Sequence, residues 1–263
     1  MYKTVLQQIL RDIKKQYVYF QYKHTLVKNS NNSDIYIVEY PKGGITWFST
    51  IVANINLQES NSKQVATYYN IQQLIPDMHM DQSILPTPIW EVPKYRFIKS
   101  HHNYTPYYNH VIYLVRNPIS VMNSYYSYRT MLNHFDGTFE EFIHNKKYGL
   151  STWIQHVESW LLKGDSSQRI HVVKYEDLKD SPVETLTELY NNLGIHVKKE
   201  SIKTAIELSN FNNMKTSENI YKKNNPNTSL VFVREGKSKT LIDKKHEDYI
   251  LEKTKHIREI IGY

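Results

Sequence analysis

The chain has no cysteine among its 263 residues, so disulfides and thiolate metal sites are excluded, and the absence fits a reducing compartment. No apolar run approaches the length of a membrane-spanning helix. The first residues, Met1 to Lys28, scatter Lys3, Arg11, Asp12, Lys14 and Lys15 among apolar positions, unlike the continuous apolar core of a signal peptide. A cytoplasmic protein without a membrane partner is the expectation. Glycine is scarce, with only 8 in the chain, so the adjacent pair Gly43-Gly44 stands out. A Walker A loop is also missing: Gly236-Lys237-Ser238 ends like one, but Val231 stands where its first glycine belongs. The 22 tyrosines carry no catalytic inference.

What is present describes a folded protein. With 40% hydrophobic residues the chain is long enough to bury a sizeable core, and one domain over 1–263 is expected. Its formal net charge of +7 favours anionic partners: nucleic acid, a membrane surface or a phosphorylated small molecule. The lysines are spread along the chain without a dense basic stripe, which disfavours nucleic acid.

Runs of β-branched and aromatic residues at Ile35–Val38, Arg96–Lys99, Val111–Val115 and Ile170–Lys174 alternate with helical patterns. That alternation predicts an α/β fold, a central parallel sheet flanked by helices. Helices are expected over Thr46–Leu57, Pro118–Leu132, Thr152–Lys163 with Gly164 as C-cap, and from a Ser181/Glu184 capping box to Leu193, stopped by Gly194. Residues 1–34 are expected as a helical extension, 243–261 as a charged terminal helix, and the polar stretch 212–229 as a surface loop acting as a lid. The proline-interrupted region Asn61–Pro93 reads as irregular.

The segment Tyr40-Pro41-Lys42-Gly43-Gly44-Ile45-Thr46-Trp47 joins the first strand to the first helix. A strand that ends in lysine and glycines and opens a helix presents backbone N–H groups and a helix N-terminus to an anion. An ordinary strand–turn–helix corner has the same pattern. Lys99-Ser100-His101-His102 follows the second run and places a histidine on the edge where α/β sheets hold ligands, as a general base or as a hydrogen-bonded structural residue. The neighbouring His101 and His102 do not make a metal pair, since adjacent strand residues point to opposite faces. Arg116-Asn117-Pro118, with Ser124 two helical turns on, suits a second phosphate, or a salt bridge and a surface hydroxyl.

The order of these segments resembles the soluble type of 3′-phosphoadenosine 5′-phosphosulfate (PAPS)-dependent sulfotransferases. Tyr40 to Trp47 resembles that family's P-loop-like 5′-phosphosulfate loop, Tyr-Pro-Lys-Ser-Gly-Thr-Thr-Trp. Lys99-Ser100-His101 resembles its Lys-Thr-His segment, and Arg116 to Tyr126 its 3′-phosphate motif. Gly149 to Trp160, with Trp153, His156 and Val157, resembles a family helix region, and Tyr175-Glu176-Asp177-Leu178 its Tyr-Glu-Asp segment. Ser209-Asn210-Phe211 with Met214-Lys215 resembles its adenosine-side loop, and Phe232-Val233-Arg234-Glu235-Gly236 its late Arg-Lys-Gly.

The resemblance implies PAPS as donor, 3′-phosphoadenosine 5′-phosphate (PAP) as product and no metal. It implies that His101 deprotonates an acceptor hydroxyl, that Lys42 meets the bridging and sulfuryl oxygens, and that Lys99 supports the transferring group. Backbone N–H groups of Gly43, Gly44, Ile45, Thr46 and Trp47 would hold the 5′-phosphate. Arg116, Ser124 and Arg234 would hold the 3′-phosphate, with Ser124 also counted among the catalytic groups, and Trp47, Tyr175 and Phe211 would surround the adenine. Gly43 and Ile45 replace a serine and a threonine, Glu235 replaces a lysine, and the C-terminal dimer motif is missing. The acceptor is expected to be a small molecule with a hydroxyl group, polar or cationic if Asp77, Asp81, Glu91, Asp136 or Glu140 faces it. An amine acceptor, or a protein that binds PAPS or PAP without transferring the group, are the alternatives.

Overall fold

The computed structural model describes residues 33–67, 69–78, 96–162, 169–224 and 242–263. Four strands, β1 (Ile35–Glu39), β2 (Phe97–Ser100), β3 (His110–Val115) and β4 (Arg169–Lys174), form one sheet in the order β2-β1-β3-β4. All three pairings are parallel. In register, Val38 lies beside Ser100 and Tyr113, and Val115 beside Lys174, so the carboxyl ends of the strands share one edge.

β1 is buried along its whole length, and its side chains alternate between two cores, as a strand covered on both faces requires. Ile35 and Ile37 join Ile112 and Leu114 on one face, against the apolar side of α1 (Ile45–Glu59), α7 (Pro182–Asn192) and α8 (Lys199–Leu208). Tyr36, Val38, Val111, Tyr113 and Val115 enter the other core, with α3 (Pro118–Met131), α4 (Phe139–Ile143), α5 (Leu150–Leu161), α10 (Lys244–Lys253) and α11 (Lys255–Ile261). Trp153 and Trp160 of α5 are 1% and 0% exposed there. The remaining helices are α2 (Ile71–Leu74), α6 (Tyr175–Asp180) and α9 (Phe211–Asn224).

The expected α/β architecture holds within the described residues, with four local corrections. The stretch expected as a lid loop is helical through Asn224: Asn210 accepts the Asn213 amide at the start of α9, and Lys215 and Lys222 flank the buried Glu218 at helical spacing. The terminal helix is two helices broken at Thr254, whose hydroxyl donates to the Ile250 carbonyl at 2.7 Å and so competes with the helix ladder. The Ser181/Glu184 capping box does not form, because Ser181 also terminates α6 at φ −139° and ψ 60°, and α7 begins instead on Pro182. The helix around Trp153 runs from Leu150 to Leu161. Gly164, residues 1–32 and residues 225–229 lie outside the described residues.

Candidate active site

In this strand order the chain turns one way from β1 to β2 and the other way from β3 to β4. The crevice between the carboxyl ends of β1 and β3 is therefore the switch point at which α/β sheets bind ligands. The Lys42-Gly43-Gly44 loop leaves β1 there, and Arg116 leaves β3.

Strained backbone shapes the loop. Lys42 sits at φ 79° and Gly44 at φ 114°, and the Gly43 amide closes a turn on the Tyr40 carbonyl at 3.1 Å. At Gly44 a Cβ would come within 2.5 Å of the Tyr175 ring, so the ring packs directly on the backbone and only glycine fits. Gly44 is the N-cap of α1 and has no side chain to offer its first amides. The first-turn amides are thus without a side-chain cap among the described residues, and the Ile45 amide donates to the Glu39 carboxylate at 2.7 Å.

Arg116 closes the other side. Its guanidinium stands over the Tyr175 ring, 4.3 Å from the centroid, and one terminal nitrogen donates to the Lys42 carbonyl at 3.2 Å. Its Nε is buried without a partner among the described residues. A planar cation stacked on an aromatic ring, with a donor still unsatisfied, suits a phosphate. Next to it, Asn117 caps α3 by accepting the Ile119 amide at 2.9 Å, which orients the helix that carries Ser124 and Tyr128. The Lys42 ammonium lies 4.3 Å from the centre of the Tyr128 ring.

His101 follows β2. Its Nδ1 lies 3.1 Å from the Glu39 carbonyl. A carbonyl only accepts, so Nδ1 carries a proton in this contact. His102 points elsewhere: its Nδ1 meets the Tyr108 hydroxyl at 3.0 Å and its carbonyl takes the Trp160 indole N–H, so it is structural. Among the described residues no group of three His, Cys, Asp or Glu could hold a metal.

Lys99 is held by Asp77 at 3.0 Å, with Asp77 bridged to it in the backbone as well. Asp77 thus neutralises the Lys99 ammonium. Glu140 is similarly engaged by Lys245 and stands on the surface. Asp81 and Glu91 fall outside the described residues.

On the far wall the Trp47 and Tyr175 rings meet edge to face at 5.7 Å, and the Trp47 indole N–H donates to the Ser209 carbonyl at 3.0 Å. The Ser209 hydroxyl is fully buried on Asn54, so Ser209 braces this wall from behind and does not offer its hydroxyl to a ligand. Phe211 is 38% exposed next to it, whereas Asn210 caps α9 and Met214 is half-buried in that helix. Phe232, Val233, Arg234, Glu235 and Gly236 lie outside the described residues.

Sequence reasoning missed Glu39, Tyr128 and the second contact of Glu176. Glu176 accepts the Asn117 amide at 3.1 Å and the hydroxyl of Tyr263, tying Tyr263 to the end of β3. Glu39 carried a readable signal as the one charged residue from Ile35 to Tyr40. It is 2% exposed, and burial pushes its carboxyl up to about 7, against the opposing pull of the Ile45 amide, Lys99, Lys42 and Arg116.

A family model described as the sulfotransferase domain matches residues 32–262. Mouse sulfotransferase 4A1 is 31% identical over 188 residues, 66% of this chain and 64% of that protein, so the chain spans just under two thirds of this relative. Mouse sulfotransferase 1B1 is 27% identical over 71% of this chain and 67% of its own. Among solved structures, mouse sulfotransferase SULT7A1 complexed with PAP superposes with a TM-score of 0.60 at 23% identity, over 88% of each chain. Retinol dehydratase in complex with androsterone and inactive cofactor PAP superposes at 0.63 and 20% identity, over 87% of this chain and 81% of that one. At these identities the structures support the fold.

Proposed function

The chain belongs to the sulfotransferase family, and from that premise we propose that it transfers the sulfuryl group of PAPS to a hydroxyl of a small-molecule acceptor and releases PAP. The observation that carries this reading is the hydrogen bond from His101 Nδ1 to the Glu39 carbonyl, which ties the imidazole to the end of the strand that opens the glycine loop. When bound, the phosphosulfate supplies an activated sulfuryl group joined to a nucleotide leaving group. The residues here fit such a ligand: a glycine cradle closed by Tyr175, an arginine with an unpartnered Nε, and a helix N-terminus without a side-chain cap.

His101 Nε2 takes the proton of the acceptor hydroxyl, a role that contributes roughly a hundredfold to ten-thousandfold when the base is well placed. Lys42 and the amides of Thr46 and Trp47 bring positive charge to the loop, where negative charge grows as the bond to sulfur breaks. Lys99, held by Asp77, supports that charge from β2. Arg116 and Ser124 hold the 3′-phosphate together with Arg234. Trp47, Tyr175 and Phe211 take the adenine. No step calls on a metal, and we place the protein in the cytoplasm; among the described residues no helix is long and apolar enough to cross a membrane.

The acceptor is an alcohol or phenol on a small molecule, polar or cationic. Binding of PAP without transfer is the competing reading, favoured by the engagement of the Ile45 amide by Glu39. The test is His101→Ala, assayed by mass spectrometry against an acceptor panel with PAPS. Transfer is expected to fall by at least a hundredfold while PAP still binds. Near-normal turnover in the variant would remove His101 as the base, and wild-type protein that binds PAP but sulfates no acceptor would favour the binding-only reading.

A further inference from the structure

The Glu39 carboxyl lies directly under the loop that is to receive an anion. Its Oε2 accepts the Ile45 amide at 2.7 Å and lies 2.7 Å from the position a Cβ on residue 43 would take. The carboxyl thus fills the space beneath Gly43, and a Cβ there would require it to shift. A glycine at position 43, where the resembled loop has serine, lets the carboxyl sit there undisturbed.

The charged and titratable groups around that carboxyl come from several elements. Lys42 approaches from the loop, Lys99 from β2 and Arg116 from the end of β3. His101 Nδ1 is 3.9 Å from Oε1, and the buried Tyr113 hydroxyl on β3 feels the carboxylate, which raises its pKa further. Asp77 draws on Lys99 from the other side. Glu39 therefore shares its cations with the ligand that the loop is built to hold. A second anion arriving at the same helix end meets a buried like charge, and in a region of low effective dielectric that repulsion is removed most easily by protonating the carboxyl.

We propose that Glu39 is a positioning residue of the anion loop, and that the loop accepts its anionic ligand together with one proton, which is held on the Glu39 carboxyl. The proposal rests on the nucleotide-binding reading given above. The protonated carboxyl keeps an oxygen for the Ile45 amide, so the loop retains its shape while the buried negative charge disappears. Burial already brings the carboxyl close to this change, since it titrates at about 7 in the free protein.

The sign follows from linkage. If the bound state holds one more proton than the free state, affinity weakens as pH rises above 7, by up to about tenfold per pH unit. The measurement is PAP binding by isothermal titration calorimetry from pH 6.5 to 9, in buffers of different ionisation enthalpy, for the wild-type chain and Glu39→Gln. The nucleotide's own phosphate ionises near pH 6 and contributes equally to both proteins, so the difference between them isolates Glu39. The expected result is a wild-type dissociation constant that climbs above pH 7 and a net uptake approaching one proton near pH 8, both absent in Glu39→Gln. As a check that does not depend on the variant folding, the carboxyl resonance of Glu39 in carbon-13-glutamate-labelled wild-type protein should shift its titration midpoint upward when PAP is added.

Binding with the same pH profile in both proteins, or an unmoved midpoint, overturns the role of Glu39 and leaves the nucleotide reading standing. Failure of wild-type protein to bind PAP at any pH overturns that reading and this inference with it.

Discussion

Replacing Glu39 by glutamine tests what a buried charge costs the free protein. The carboxyl titrates at about 7 in the folded chain against an ordinary value of 4.5. Between those pH values the folded state binds more protons than the unfolded state, so stability falls as pH rises through the window and stays lower above it. The loss is on the order of 3 kcal/mol for a group this buried. Urea midpoints from pH 4.5 to 8 should therefore decline in the wild type more steeply than in Glu39→Gln, and equal slopes would mean that the carboxyl is not the source. His156, 3% exposed beside the Tyr113 hydroxyl, behaves in the opposite sense: burial lowers its pKa to about 4, and it stays a neutral core residue throughout. Burial favours the neutral form of both, which raises the pKa of an acid and lowers that of a base. Glu39 sits under a loop of cations, and His156 sits among aromatic rings.

Helix ends decide how the site is aimed. Asn117 accepts the Ile119 and Ser120 amides at 2.9 Å and 3.4 Å, and through α3 it sets both Ser124 and the Tyr128 ring on which Lys42 rests. Asn117→Ala should lower stability by about 1 kcal/mol. It should also weaken PAP binding severalfold, while a distant cap such as Thr138→Ala, which breaks the Thr138/Glu141 capping box, should lower stability alone. Denaturation and titration of both variants make the comparison. Elements of this kind were legible to different degrees in the amino-acid sequence. The strands announced themselves because β-branched and aromatic side chains fill both faces of a covered sheet, and their carboxyl ends gathered Lys42, His101 and Arg116 as the order of motifs implied. The α9 helix was hidden because its buried contact is a charged one, Glu218, and because the stacking of Tyr221 on Tyr69 is a contact between distant parts of the chain. Ser181 misled because one residue ends α6 and precedes α7, and a residue set in the first geometry cannot cap the second. Pairings such as Lys99 with Asp77 depend on how the chain returns to β2, which no local pattern records.

At the scale of the whole fold, Tyr263 returns to the end of β3 and the start of α6. The Tyr263 hydroxyl reaches Glu176 and the Val115 carbonyl, and Lys174 donates to the Gly262 carbonyl at 2.8 Å. Burial and the Glu176 carboxylate push the Tyr263 pKa up, so the hydroxyl remains a donor at every pH the protein meets. Tyr263→Phe leaves Glu176 with the Asn117 amide and should cost roughly 0.5–1.5 kcal/mol, the net worth of one hydrogen bond. A melting temperature within a degree of the wild type would show that the terminal contact is dispensable. The strand order has a further consequence, for how the chain assembles as it is made. Among the described strands β1 is synthesised first and is apolar from Ile35 to Val38, yet both of its neighbours, β2 from Phe97 and β3 from His110, follow long stretches of intervening chain. Such a strand waits with both edges open on a nascent polypeptide until distant segments arrive. Parallel pairings this remote in sequence close slowly and leave the waiting strand exposed to other chains. The central position that lets β1 deliver the anion loop to the middle of the sheet also makes it the part of the chain most in need of protection during synthesis.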